Sequence, residues 1–182
     1  MYLSDFELVR ANNSVETVLD TIEVTLQDGT LTTLQDDFII LRNNIFRYAI
    51  GTTNISGDFS KIRFKIGLYQ IASQVNPESV ETTHPLSADK NLYENGTYIN
   101  NQIAIIADTS AIDMITNYNI IDNTISVELN YNFTVNSGFD TEIKINADLK
   151  KLLDTVDFQN DDYDAIISKI ITNTSDIFTI VE

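Results

Sequence analysis

The chain has no cysteine and only one histidine, His84, among its 182 residues. Without cysteine there is no disulfide framework, no thiolate nucleophile and no thiolate metal ligand. A zinc site built from several histidines is excluded by the count alone. His84 lies between Thr83 and Pro85 and has no carboxylate or hydroxyl nearby in sequence that would make it a general base. We therefore interpret it as an exposed loop residue.

Glycine and proline are also scarce, at six and two residues. No two glycines lie close enough for a P-loop or a dinucleotide-binding motif. No uninterrupted apolar stretch is long enough to cross a bilayer. The first residues, Met1 to Glu7, lack the basic and apolar regions of a signal peptide, so the sequence predicts synthesis in a cytoplasm.

Basic residues are few: 11 lysines and arginines face 27 acidic residues, which gives a net charge of −16. Nucleic acid and anionic lipid would both repel such a protein, so we expect neither as a partner. Other proteins are the expected partners, and no small-molecule substrate or cofactor is indicated.

Period-two alternation is the main pattern that is present. From Thr124 to Val135 every odd position is apolar and every even position is polar, and Thr141 to Leu149 repeats the pattern. Successive side chains of a strand point to opposite faces, so each run predicts a strand with one buried face. Residues 136–140 have the composition of a hairpin loop. We therefore predict a long antiparallel hairpin over 124–149.

Shorter patterns add further strands. Asp5 to Arg10 is a candidate strand, Ile22 to Leu26 alternates into Asp28-Gly29, and Lys61 to Leu68 alternates again. Asp28-Gly29 predicts a type I′ turn, although pairing Leu26 with Leu31 would place Leu34 on the wrong face. Residues 37–50 fit a hairpin about Asn43-Asn44 or a helix, and we favour strands.

The second half of the chain mixes elements. Residues 73–101 lack a period and predict an irregular loop or arm. Residues 102–107 predict a strand, 109–118 a helical segment, 149–156 and 162–170 two short helices, and 176–182 a strand. The prediction is a single α+β domain over 1–182, mainly β, with an antiparallel sheet or sandwich.

Candidate sites each have a plain alternative. The run from Gln159 to Asp164 is dense in oxygen ligands that a cation such as calcium would accept, but Asp and Asn before a helix also cap it, and we favour capping. The pairs Asp36-Asp37 and Asp154-Asp157 resemble acid/base pairs only by chance in so acidic a chain. Asn-X-Ser/Thr triplets at several asparagines follow from the abundance of Asn and Thr; they are Asn12, Asn54, Asn95, Asn132 and Asn173.

A basic stripe stands out in this acidic chain, because Lys61, Arg63 and Lys65 share one strand face. Such charges protect an edge strand from unwanted pairing, which is the interpretation we favour. The alternative is an interface with the acidic surface of another copy. We also take His84, Tyr93 and Tyr98 in the irregular loop as candidate interface residues.

An acidic, cysteine-free β domain rich in Asn, Ile and Thr, with an irregular loop, resembles the tail, baseplate and neck proteins of tailed bacteriophages. That resemblance implies a non-enzymatic assembly protein of a virion, made in the host cytoplasm, that packs against other virion proteins and copies of itself. The alternative is a β-sandwich that recognises carbohydrate or a host surface, with Tyr93 and Tyr98 as a sugar platform. A third reading, a hydrolase that uses carboxylates, has no positive support.

Overall fold

The computed structural model describes residues 1–106 and 115–181. These residues form twelve strands and one α-helix, α1 (Tyr163–Asn173). The strands are β1 (Tyr2–Val9), β2 (Val15–Thr17), β3 (Thr21–Thr25), β4 (Leu31–Gln35), β5 (Ile39–Ile40), β6 (Gly57–Ile66), β7 (Tyr93–Glu94), β8 (Thr97–Ile106), β9 (Ile115–Ile121), β10 (Ile125–Val135), β11 (Ile145–Ala147) and β12 (Phe178–Ile180). Five short 3₁₀ helices lie over Ala72–Gln74, Pro77–Ser79, Ala88–Lys90, Leu149–Leu153 and Thr174–Ile177. The predicted class, mainly β with antiparallel sheets, is confirmed.

The largest sheet has the strand order β10-β6-β1-β2, and the short strand β5 also pairs with β1. Every pairing in it is antiparallel. Strands β7, β8 and β9 form a second sheet, and β3-β4 and β11-β12 are separate two-stranded units. No helix among the described residues is long and apolar enough to cross a membrane.

Alternation along β6 and β10 decides which face of the large sheet is buried. Ile62, Phe64 and Ile66 of β6 are buried, as are Val127 and Leu129 of β10. These side chains pack against Ile166 and Ile170 of α1 and against the segment around Ile177, and together they form the main core. The predicted inward face of both strands is confirmed.

A second apolar cluster lies beneath residues 69–99. Its buried side chains come from β1, β3, β4, β5 and β8 and from the segments that connect these strands; they are Tyr2, Val24, Leu34, Phe38, Ile40, Leu68, Ala72, Val75, Leu86, Leu92, Tyr98 and Ile99. Residues 73–101, predicted as an irregular loop or arm and called the irregular segment below, therefore supply core residues, and Val75 and Leu86 in it are fully buried.

The predicted hairpin over 124–149 is wrong. β10 pairs along its length with β6, and β11 pairs with β12. Alternation specifies a strand and its buried face, but it does not specify the partner strand. β6 alternates over a similar length, so β10 can bury its apolar face beside it.

The β3-β4 hairpin corrects a predicted register. Thr25, not Leu26, lies opposite Leu31, so Leu34 faces Ile22 and is buried. The Gly29 N–H donates to the Leu26 carbonyl at 2.9 Å, and Gly29 alone in the turn has positive φ. The turn is therefore longer than the predicted two-residue type I′ turn, because a type I turn followed by a left-handed glycine adds one residue.

Three other predicted elements differ from the structure. Residues 37–50 form neither a full hairpin nor a helix, since only β5 is regular and a turn follows at Asn43. The predicted helix over 149–156 is a single 3₁₀ stretch, Leu149–Leu153. The predicted helical segment 109–118 lies largely outside the described residues, and its last four residues belong to β9.

Candidate functional site

The basic stripe lies on β6, which is a central strand of the large sheet, so the edge-strand interpretation is wrong. Glu128 on β10 accepts from Lys61 Nζ and from Arg63 Nε, both at 2.6 Å. Lys65 Nζ lies 2.6 Å from Asp5 Oδ2 on the other side. The hydrogen bonds from Lys61 and Arg63 lower the pKa of Glu128. The stripe is thus neutralised within its own sheet.

His84 is held on both ring nitrogens. The Leu86 N–H donates to Nδ1 at 3.1 Å, so Nε2 carries the proton of the neutral ring and donates to Asp36 Oδ1 at 3.0 Å. The ring also meets Phe38 edge-on, and the side chain is only 11% exposed. The expectation of an exposed loop histidine is wrong. His84 instead fastens the irregular segment to the end of the β3-β4 hairpin.

Asp37, next to Asp36, faces a different partner. Its side chain is 1% exposed, and its Oδ2 accepts from the Phe6 N–H at 2.6 Å and from Gln35 Nε2 at 3.1 Å. Its Oδ1 has no hydrogen-bond partner among the described atoms. Burial raises the pKa of Asp37 despite these hydrogen bonds. Burial, with added repulsion from the Asp37 and Asp5 carboxylates, also raises the pKa of Tyr69 to about 12.

The position of Asp37 explains an irregularity in β1. The register of β1 against β6 shifts between Ser4 and Glu7, where Asp5 has positive φ. Such a bulge leaves backbone N–H groups without strand partners, and Asp37 accepts one of them. Asp36 and Asp37 therefore bind separate groups and do not form an acid/base pair.

The two candidate tyrosines do not form an exposed platform. Tyr98 is 1% exposed, and its hydroxyl donates to the Leu86 carbonyl at 2.7 Å. Burial raises the pKa of Tyr98 above its ordinary value. Tyr93 packs against it with ring centroids 4.9 Å apart and is half-buried. The sugar platform expected of this pair is absent from these positions.

The oxygen-rich run before α1 is a capping structure, as predicted. Asp162 accepts from the Ala165 N–H at 2.8 Å and begins the helix. Asp161 accepts from Lys169 Nζ at 2.6 Å, which lowers the pKa of Asp161. In the part of the chain that the structure describes, no group of three or more His, Asp or Glu side chains is arranged to hold a metal ion.

Large apolar side chains are instead exposed on two loops. Phe46 is 94% exposed and Phe139 is 78% exposed. The segments that carry them, residues 42–47 and 136–144, are joined by an ion pair of 3.7 Å between Arg47 and Glu142. We call these two segments the linked loops. The sequence interpretation placed Phe46 within a strand or helix, although the asparagines before it indicate a turn.

A shallow surface depression of about 270 Å³ lies where β6 and β10 meet the turn after β1. Its lining residues are Ala11, Asp58, Phe59, Ser60, Asn132, Phe133 and Thr134. Thr134 already donates to Asp58, and the Arg10 guanidinium lies 4.4 Å from the Phe59 ring centre. The polar groups of Thr134 and Asp58 in the lining therefore already contact each other.

Comparison with protein families gives one assignment. The model of the MbnP family matches residues 1–172. The chain belongs to the MbnP family. No curated protein and no solved structure matches it. The resemblance to bacteriophage tail, baseplate and neck proteins is therefore wrong, because this family match covers nearly the whole chain. The predictions of virion partners and of a virion location depended on that resemblance, which no longer supports them.

Proposed function

We propose that this MbnP-family chain is a non-enzymatic binding protein that contacts another protein through the linked loops. The observation that carries the proposal is the exposure of Phe46 and Phe139, the two most exposed large apolar side chains among the described residues. Aromatic residues are enriched in protein interfaces, where they supply much of the binding energy. Their exposure on loops of a stable scaffold is typical of recognition surfaces.

The contacts of the titratable side chains within residues 1–106 and 115–181 support the same proposal. The groups best suited to acid/base work bind within the fold: His84 to Asp36 and Leu86, Asp37 to Phe6, and Glu128 to the basic stripe. A catalytic group has to reach a reacting atom at hydrogen-bond distance. These side chains are instead committed to structural contacts.

The family is methanobactin-associated and copper-related, so the fit of this chain to copper is a relevant question. Copper sites draw on thiolate, thioether and imidazole ligands. This chain has no cysteine and one histidine, and both nitrogens of His84 are engaged. One of its two methionines, Met1, is buried in the main core. These residues do not fit a copper centre with two or more imidazole or thiolate ligands, and we derive no step through copper.

Site-specific photocrosslinking in cells of the source organism tests the proposal. A benzoyl-phenylalanine placed at position 46 or position 139 should give discrete protein adducts on irradiation. The matched control is Leu31, which is 62% exposed on the β3-β4 hairpin, and the probe there should give few adducts. Equal adduct yields at all three positions, or none at 46 and 139, would overturn the proposed contact surface.

A further inference from the structure

The linked loops differ in charge from the rest of the molecule. They hold three of the eleven basic residues, Arg42, Arg47 and Lys144, but only two of the 27 acidic residues, Asp140 and Glu142. All three basic side chains are exposed. The Arg42 guanidinium and the Lys144 ammonium have no ion-pair partner among the described residues, and Arg47 has only its exposed pair with Glu142. The aromatic contact surface is therefore locally basic in a chain of net charge −16.

The same chain presents a complementary surface over residues 154–164, which we call the acidic patch. This segment holds five aspartates and no basic residue. Asp154 and Asp164 are exposed and have no ion-pair partner in the described part of the chain. Phe158 and Tyr163 are also exposed there, and the Tyr163 ring stacks on Tyr118 with centroids 5.2 Å apart.

We infer that the partner of the linked loops is a second copy of this chain, which binds through its acidic patch; this inference rests on the function proposed above. Arg42, Arg47 and Lys144 of one copy meet Asp154 and Asp164 of the next, and Phe46 packs beside Phe158 and Tyr163. Arginine also binds favourably over tyrosine and phenylalanine rings. Because the two surfaces differ, the contact is head-to-tail and links copies into a ring or a chain.

The overall negative charge does not prevent this contact at physiological salt. At about 0.15 M ionic strength the screening length is about 8 Å, so charges far from the contact repel each other little. Opposite charges that touch at the contact remain attractive. The acidic remainder of the surface instead disfavours the other orientations in which two copies could meet.

A charge-swap experiment with the full purified chain tests the inference. Sedimentation velocity over a concentration series at about 0.15 M salt should show reversible self-association of the wild type. The double variants R42E/R47E and D154K/D164K should each weaken it by about tenfold or more, the equivalent of about 1.4 kcal/mol. Mixing the two variants in equal amounts should restore association, because each reversed surface then meets its complement.

The matched control for D154K/D164K is E81K/E94K, which makes the same change in net charge at two exposed positions of the irregular segment. It should leave self-association close to the wild-type value, and circular dichroism should confirm that all variants are folded. A monomer at every concentration, or no recovery on mixing, would overturn the second copy as partner. Photocrosslinks from position 46 to a different protein would then still support the linked loops as a contact surface, so the two proposals fail separately.

Discussion

The positions of the notable titratable residues in this protein are explained by the backbone and side-chain groups with which they form hydrogen bonds. His84 and Asp36 close the irregular segment onto a hairpin, and Asp37 accepts from a bulge in β1. The sequence marked both aspartates and the histidine as notable because they are titratable. Asp37 binds the Phe6 N–H, 31 residues away, and His84 binds Asp36, 48 residues away, so no local pattern identifies these two contacts.

Asp37 should make stability depend on pH in an unusual direction. Its pKa is raised on folding, so the folded state holds the proton more tightly than the unfolded state. The stability that it contributes is complete below the unfolded pKa of about 3.9 and is lost as the pH rises through the raised folded pKa. Asp37→Asn removes this loss, because asparagine keeps an oxygen for the Phe6 N–H and carries no charge.

Urea unfolding of the wild type and the Asp37→Asn variant, compared at several pH values between about 4 and 7, checks this expectation. The stability of the variant relative to the wild type should rise with pH. Other carboxylates, such as Glu128, have lowered pKa values and act in the opposite direction in both proteins, so only the difference is informative. A difference that stays constant with pH would contradict the assignment to Asp37.

At the scale of elements, alternation predicted strands and their buried faces well, but it did not predict how the strands pair. β6 and β10 were both recognised from their period of two, yet the predicted partner of β10 was wrong. The pattern that predicts a helix, unlike the pairing of a strand, involves only residues within the helix and next to it. Asp162 before an apolar face of period 3.6 predicted α1, and the cap is confirmed.

The cap of α1 should contribute measurably to stability. Replacing a capping aspartate by alanine costs about 1 kcal/mol, because an N–H of the first turn loses its acceptor. Asp162→Ala should therefore lower the unfolding free energy by about that amount, while Asp162→Asn, which keeps a capping oxygen, should lower it much less. Chemical denaturation of both variants measures the difference. Equal losses would indicate that charge, rather than the hydrogen bond to the Ala165 N–H, is what matters.

At the scale of the whole molecule, two apolar clusters organise the chain, and the segment predicted as an arm belongs to one of them. This packing buries Tyr98 and leaves Phe46 and Phe139 exposed. Membership of the MbnP family raises the question of copper. The chain offers no cysteine and one histidine as ligands, so we expect no copper site built on imidazole or thiolate.

A copper titration tests that answer on the intact protein. Both Cu(I) and Cu(II), measured in competition with a chelator of known affinity, should bind no more tightly to the wild type than to His84→Ala. The physical reason is that the only imidazole is already held on both nitrogens, and removing it deletes no available ligand. Tight copper binding that is lost in His84→Ala would contradict this expectation.

The sequence by itself determined the β-rich class, the buried face of β6 and β10, the α1 cap and the absence of cysteine or histidine clusters. These properties follow from residue counts and local periods, which depend only on neighbours in the chain. Tertiary structure alone decided that β10 pairs with β6, that Glu128 neutralises the basic stripe and that Tyr98 is buried. Each of these depends on contacts between segments far apart in sequence, which no local pattern of residues specifies.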